Sequence, residues 1–161
     1  MDSGTERAIA YVDIDNFKPL NDKYGFSRGD EVIRMVARIL VNVVSEEARS
    51  EGFVGHVGGD DFVFSVPIDK AEVVCQRIIS SFDSLIVLFL DEDDLKRGYF
   101  ESMDRLGRPQ RFPLTSLSIA VVLCRRGRYS HYGQVSMTAA QLKKKVKSIE
   151  GSAYLIDRRE E

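Results

Sequence analysis

The chain has 161 residues, of which 43% are hydrophobic and 30% charged, and its net charge is −2. That length supports one domain with its own core, and the absence of a basic field excludes duplex nucleic acid as the implied partner. No run nears the ~18 apolar residues of a membrane span, and Cys75 and Cys124 stand far apart in apolar runs, which reads as two buried free thiols in a reducing cytoplasm.

In chain order, the first residues lack the basic-then-apolar layout of a signal peptide. Arg7 to Ile14, RAIAYVDI, is short, apolar and β-leaning, and predicts a buried strand. So abrupt an entry suggests a piece of a longer protein. Val32, Ile33, Val36, Ile39, Leu40 and Val43 then keep helical spacing, with Ser27 as the expected N-cap. The runs GFVGHV and FVFSV flank Gly58-Gly59-Asp60-Asp61, which predicts a hairpin with a Gly/Asp turn.

A second amphipathic helix follows, with Asp69 as its expected cap. Residues Asp91 to Pro113 are polar and predict a surface excursion with a small hairpin about DRLGRPQRF. Leu114 to Cys124 reads as a strand, RRGRYSHYGQV as a loop, Ser136 to Gly151 as a helix with a Ser or Thr cap, and SAYLID as a last short strand. The order β-α-β-β-α-β-α-β is α+β. Its first six elements match the ferredoxin-like βαββαβ pattern, an antiparallel sheet with helices on one face, followed by a C-terminal helix and strand.

That topology sets the first strand beside the hairpin. Asp13 and Asp15 at the strand's end then approach Asp60 and Asp61 at the turn. Asp60 and Asp61 alone read equally well as an ordinary hairpin turn; Asp13 converging on them favours a cation between the carboxylates, and hard oxygen ligands suit Mg²⁺ shared with substrate phosphates.

The pattern YVDIDNFKPLNDKYGFSRGDEVI followed by GGDDF resembles the GGDEF family, the diguanylate cyclases, from about Ile9 to Asp157. The resemblance implies a nucleotidyl cyclase-like palm that condenses two GTP into cyclic di-GMP and releases pyrophosphate. It implies Mg²⁺ or Mn²⁺, a transient homodimer, attached sensory or regulatory domains, and bacterial, cytoplasmic signalling. The metal would be held by Asp13, the Ile14 carbonyl, Asp60 and Asp61, with Asp60 and Asp61 as the catalytic pair. Phe17, Lys18, Gly58, Gly59 and Lys147 would meet phosphates, and Asn21 and Asp30 would recognise guanine. Lys143, Lys144 and Lys145 read as a solvated helix face, and His56 and His131 carry no catalytic assignment.

The pattern departs from the family at several places. Asp61 stands where glutamate is usual and is shorter by roughly 1 Å of reach, a displacement that can cost on the order of 10²-fold in rate. Phe26 stands where histidine is common. The window RSEG, Arg49 to Gly52, lacks the aspartate of the product-inhibition motif. GSA, Gly151 to Ala153, replaces GRN, so the phosphate-contacting arginine is missing unless Arg158 or Arg125 serves. The family's opening helix is absent, which predicts exposed apolar surface. Two further readings stand beside a cyclase: a degenerate domain that binds GTP and regulates a neighbour without turnover, and a cyclase making a different cyclic dinucleotide.

Overall fold

The computed structural model describes residues 6–125 and 132–157. Five strands form the central sheet: β1 (Arg7–Asp15), β2 (Phe53–Gly58), β3 (Asp61–Pro67), β6 (Ser116–Cys124) and β7 (Ala153–Asp157), in the order β2-β3-β1-β6-β7. The pairs β2–β3, β3–β1 and β1–β6 are antiparallel, while β7 joins β6 in parallel. The first four strands of that row have the ferredoxin-like arrangement the sequence predicts.

Alternation along β1 sends Ala8, Ala10, Val12 and Ile14 to one face, where they meet Phe62, Phe64 and Val66 of β3 and Leu117, Ile119, Val121 and Leu123 of β6. Helix α2 (Phe26–Ala48) and helix α3 (Ala71–Ile86) cover this face with Val32, Val36, Leu40, Val74, Ile78 and Phe82, all buried. Cys75 lies in the same core, where burial pushes its thiol up to about 12; Cys124 is half-buried.

The two long helices of the βαββαβ unit thus share one face, as expected, and the added C-terminal helix α5 (Tyr132–Lys147) covers the other. On that face its Val135 and Ala139 pack with Val122, Ile9, Tyr11 and Cys124. As the connection between parallel strands β6 and β7 it has to cross a face of the sheet. It also begins four residues before Ser136, so Ser136 lies inside the helix and Tyr132 to Val135 are not loop. The rest of that expected loop, with Arg126, Arg128 and His131, lies outside the described residues.

Two other expected caps are corrected. Helix α2 starts at Phe26 behind Gly25 (φ 93), which puts Ser27 within the first turn. A 3-10 turn over Ile68–Lys70 precedes α3, and Asp69 belongs to that turn. The short helix α1 (Phe17–Tyr24) is an addition to the predicted elements; Leu20 buries fully and ties it to the core. The excursion holds helix α4 (Glu92–Arg97) and the expected hairpin, β4 (Tyr99–Met103) with β5 (Pro109–Pro113). Exposed apolar side chains are present, among them Phe53 and Val57 on edge strand β2. Among the described residues no helix is long and apolar enough to cross a membrane.

Candidate functional site

The end of β1 and the β2–β3 turn meet through the register of the sheet. Asp13 is the direct cross-strand partner of Asp61. Both lie on the α5 side, because Val12 and Ile14 take the core side. The turn itself is Gly59-Asp60, with Gly58 at φ 150 and Gly59 at φ 54, conformations that glycine adopts without strain. His56 closes it: its Nε2 lies 2.8 Å from the Gly59 carbonyl oxygen, and its ring stacks on Phe62 with centroids 4.6 Å apart. A register shift between His56 and Gly58 marks a bulge that tilts the turn.

This geometry brings Asp13, Asp60 and Asp61 together, each with a carboxylate oxygen within 4.8 Å of the others'. Asp13 is almost fully buried. Burial alone would raise its carboxyl, but hydrogen bonds with Asp61 and Lys147 and the charge of Lys143 hold it below the ordinary carboxylate value. Asp61 moves the other way. Its hydrogen bond with Asp13, then burial and the charges of Asp13 and Asp60, push it up to about 6. Asp60 is raised by burial and by Asp13. Three carboxylates this close, two of them raised, form a donor set of hard oxygens, the chemistry that fits a small divalent cation.

Lysines of α5 already meet the acids. Lys147 Nζ lies 2.7 Å from Asp13 Oδ2, and Lys143 Nζ lies 3.4 Å from the same oxygen. Lys147, expected to meet phosphate, is placed against Asp13. Lys143 does not behave as part of a solvated face, whereas Lys144 and Lys145 are exposed. The spacing of four residues between Lys143 and Lys147 was the signal that could have found it.

Asp15 stands apart from the trio. It accepts hydrogen bonds from Ser116 Oγ (2.7 Å) and Ser118 Oγ (2.8 Å), and burial raises its carboxyl despite them. The Ile14 side chain is buried in the core, which leaves only its main chain for a cation.

Helix α1 leaves the same strand end through Asn16, which takes a left-handed φ of 59 and donates from Nδ2 to the Pro113 carbonyl. Phe17 and Lys18 form its first turn; Phe17 is half-buried and Lys18 exposed. Asn21 lies against the start of α2. Its Oδ1 is buried without a hydrogen-bond partner. A Cβ at Gly29 would stand 1.7 Å from that oxygen and 3.3 Å from Phe17 Cζ, so the absent side chain is what lets Asn21 lie there. Asp30, the next residue, is exposed.

Neither substitute for the missing arginine can be placed at the site. Arg125 pairs with Glu6 at 3.5 Å, at the end of the sheet where Arg7 faces Cys124. That is six strand residues, about 20 Å, from Asp13. Arg158 lies outside the described residues. Ser152 donates to Asp83 Oδ1 (2.6 Å) and accepts from the Leu117 amide (3.0 Å), a staple between β7, α3 and β6.

Residues 2–89 match the family model described as "Diguanylate cyclase, GGDEF domain". The chain is 31% identical over 91 residues to the uncharacterized protein YhcK of Bacillus subtilis, covering 55% of this chain and 24% of that protein. It is 36% identical over 76 residues to diguanylate cyclase DgcS of Shewanella oneidensis, covering 46% and 24%. The match thus spans about a quarter of the length of these relatives. Among solved structures, an EAL/GGDEF domain protein from M. capsulatus superposes with a TM-score of 0.66 at 22% identity, over 98% of this chain and 88% of that one. The active GGEEF domain of a diguanylate cyclase from Vibrio cholerae gives 0.64 at 21% identity, over 97% and 85%. At these identities the structural likeness speaks for the fold.

Proposed function

The chain belongs to the GGDEF domain family, and on that footing we propose that it is a diguanylate cyclase domain that condenses two GTP into cyclic di-GMP. The observation that carries this reading is the meeting of Asp13, Asp60 and Asp61 at one corner, beside Lys147. Each domain binds one GTP and two domains face each other. The 3′-hydroxyl oxygen of each nucleotide bonds to the other's α-phosphorus, the bond to pyrophosphate breaks, and the hydroxyl proton leaves. Two such steps close the ring and release two pyrophosphates.

The roles divide by position. Asp13, Asp60, Asp61 and the Ile14 main chain would hold Mg²⁺ or Mn²⁺, which when bound supplies charge neutralisation at the triphosphate and the leaving group. Gly58 and Gly59 let the triphosphate approach the turn, and Lys18, Lys147 and the start of α1 at Phe17 orient it. Burial of Asn21 Oδ1 leaves Nδ2 as a donor for a purine nitrogen, while Asp30 accepts from guanine N1 and N2. Full activity in this reading belongs to a longer bacterial, cytoplasmic signalling protein, in which attached sensory or regulatory domains bring two copies together.

A second reading, a GTP-binding regulator without turnover, is favoured by Asp61 in place of glutamate and by Ser152, whose hydroxyl is engaged away from the acids. The two separate on incubation with GTP and Mg²⁺ or Mn²⁺ at high protein concentration, followed by chromatography. Cyclic di-GMP that disappears in Asp60→Ala supports the cyclase. Nucleotide binding without product supports the regulator, and neither binding nor product overturns both.

A further inference from the structure

Lys143 and Lys147 stand one helical turn apart on α5, and both ammonium groups reach the same oxygen, Asp13 Oδ2, at 3.4 and 2.7 Å. That oxygen belongs to the carboxylate cluster read above as the metal ligands. We propose that this lysine pair is a built-in stand-in cation, which holds Asp13 while no divalent ion is bound and turns to the triphosphate when one arrives. Cation and nucleotide binding are thereby coupled. The inference rests on the reading of the site as a metal–nucleotide centre.

The charges argue for it. Asp13 and Asp61 face each other across two strands, and like charges opposed on a sheet repel. The two ammonium groups offset that repulsion. A divalent ion accepted by Asp13 then sets positive charge within a few ångströms of both lysines and drives them off. Their side chains are 32% and 47% exposed, so the long stems have room to swing. The anion that accompanies the cation is the triphosphate. Ser152 is engaged elsewhere and Arg125 lies at the far end of the sheet, so among the described residues α5 joins Lys18 in providing the charge that meets it. Lys144, on the same helix but exposed, is the built-in control.

The test is Mn²⁺ binding, read by electron paramagnetic resonance of the free ion. It is measured with and without α,β-methylene-GTP, which cannot be cleaved at that bond, and corrected for Mn²⁺ held by the analogue itself. Lys143→Met and Lys147→Met together should bind Mn²⁺ alone about three- to tenfold more tightly than the natural chain, the loss of two partly exposed ion pairs. The gain in Mn²⁺ affinity on adding the analogue should shrink, and by reciprocity so should the gain in analogue affinity on adding Mn²⁺. Each single variant should fall between, Lys147→Arg should behave as the natural chain, and Lys144→Met should change nothing. Unchanged or weaker Mn²⁺ binding in the double variant overturns the inference, as does an undiminished gain from the analogue. If the natural chain binds no Mn²⁺, or Asp13→Ala leaves binding intact, the reading of the site itself fails and takes the inference with it.

Discussion

Asp13 and Asp61 are direct cross-strand partners whose carboxyls share a hydrogen bond, one held below the ordinary carboxylate value and the other raised to about 6. A hydrogen bond between two carboxyls needs one proton, and Asp61 carries it. On the proposed reading of the site, a proton and a divalent cation would therefore compete for the same oxygens. The sign follows: above pH 6 Asp61 is ionised and free to bind the cation, and below it the proton must first be displaced. Mn²⁺ affinity should be flat above pH 6 and fall by up to about tenfold per unit below it. The rise in Tm at saturating Mn²⁺ should likewise be larger at pH 7.5 than at pH 5. Affinity independent of pH across this range would separate Asp61 from the cation.

The length of the Asp61 side chain sets a second prediction. If the missing methylene limits the chemistry, Asp61→Glu restores reach at the turn and should raise kcat by about 10- to 100-fold, with little change in KM. Steady-state pyrophosphate release measures it. A fall in kcat would mean that this turn is built around the shorter acid.

Gly29 and Asn21 supply a third. Alanine at Gly29 would bring a methyl to 1.7 Å from Asn21 Oδ1, so Asn21 must leave its seat. Overpacking costs about 1–3 kcal/mol, while alanine regains up to about 1 kcal/mol in a helix, so Tm should fall by no more than roughly 8 °C. The KM for GTP should rise about tenfold, the loss of one good hydrogen bond to the base. In an Asn21→Ala background the same change should add nothing. Equal effects in both backgrounds would assign Gly29 to general packing.

The excursion makes a fourth. Asp94 is fully shielded from solvent by the side chains that bind it: Lys23, Tyr24 and Arg97 all donate to its carboxylate. The Asp91 amide donates to the Tyr24 hydroxyl at 3.1 Å, and Arg28 donates to the Phe89 carbonyl at 3.0 Å. Burial would raise the Asp94 carboxyl, but the three donors outweigh it and hold it below 3.8. Its contribution to stability is therefore present above pH 3.8 and lost as pH falls through the lower folded value. Asp94→Ala should cost about 2 kcal/mol, less than a fully enclosed ion pair because Lys23 and Arg97 reach water. It should also free the C-terminal turn of α1. Chemical denaturation at pH 7 and pH 3 checks both parts, since the difference between the chains should narrow at the lower pH.

The sequence by itself determined the strands around the site and the turn that carries Asp60 and Asp61. Period-two alternation in β1 and β3 and the Gly-Gly-Asp-Asp turn between two β-rich runs specify the strands, their register and the side to which each carboxylate points, because a slip of one residue would bury Asp13 in the core. Helix starts were less legible, since Gly25 and a 3-10 turn, not Ser27 or Asp69, set where α2 and α3 begin. Only the tertiary structure decided which of the acids cluster and which cations meet them. Asp15 reads like Asp13 in the chain but is taken by two serines of β6, a strand a hundred residues away. Lys143 reads like Lys144, yet the rotation of α5 on the sheet turns one to Asp13 and the other to water. A charged side chain carries no local signal of its partner; long-range packing of strands and helices supplies it.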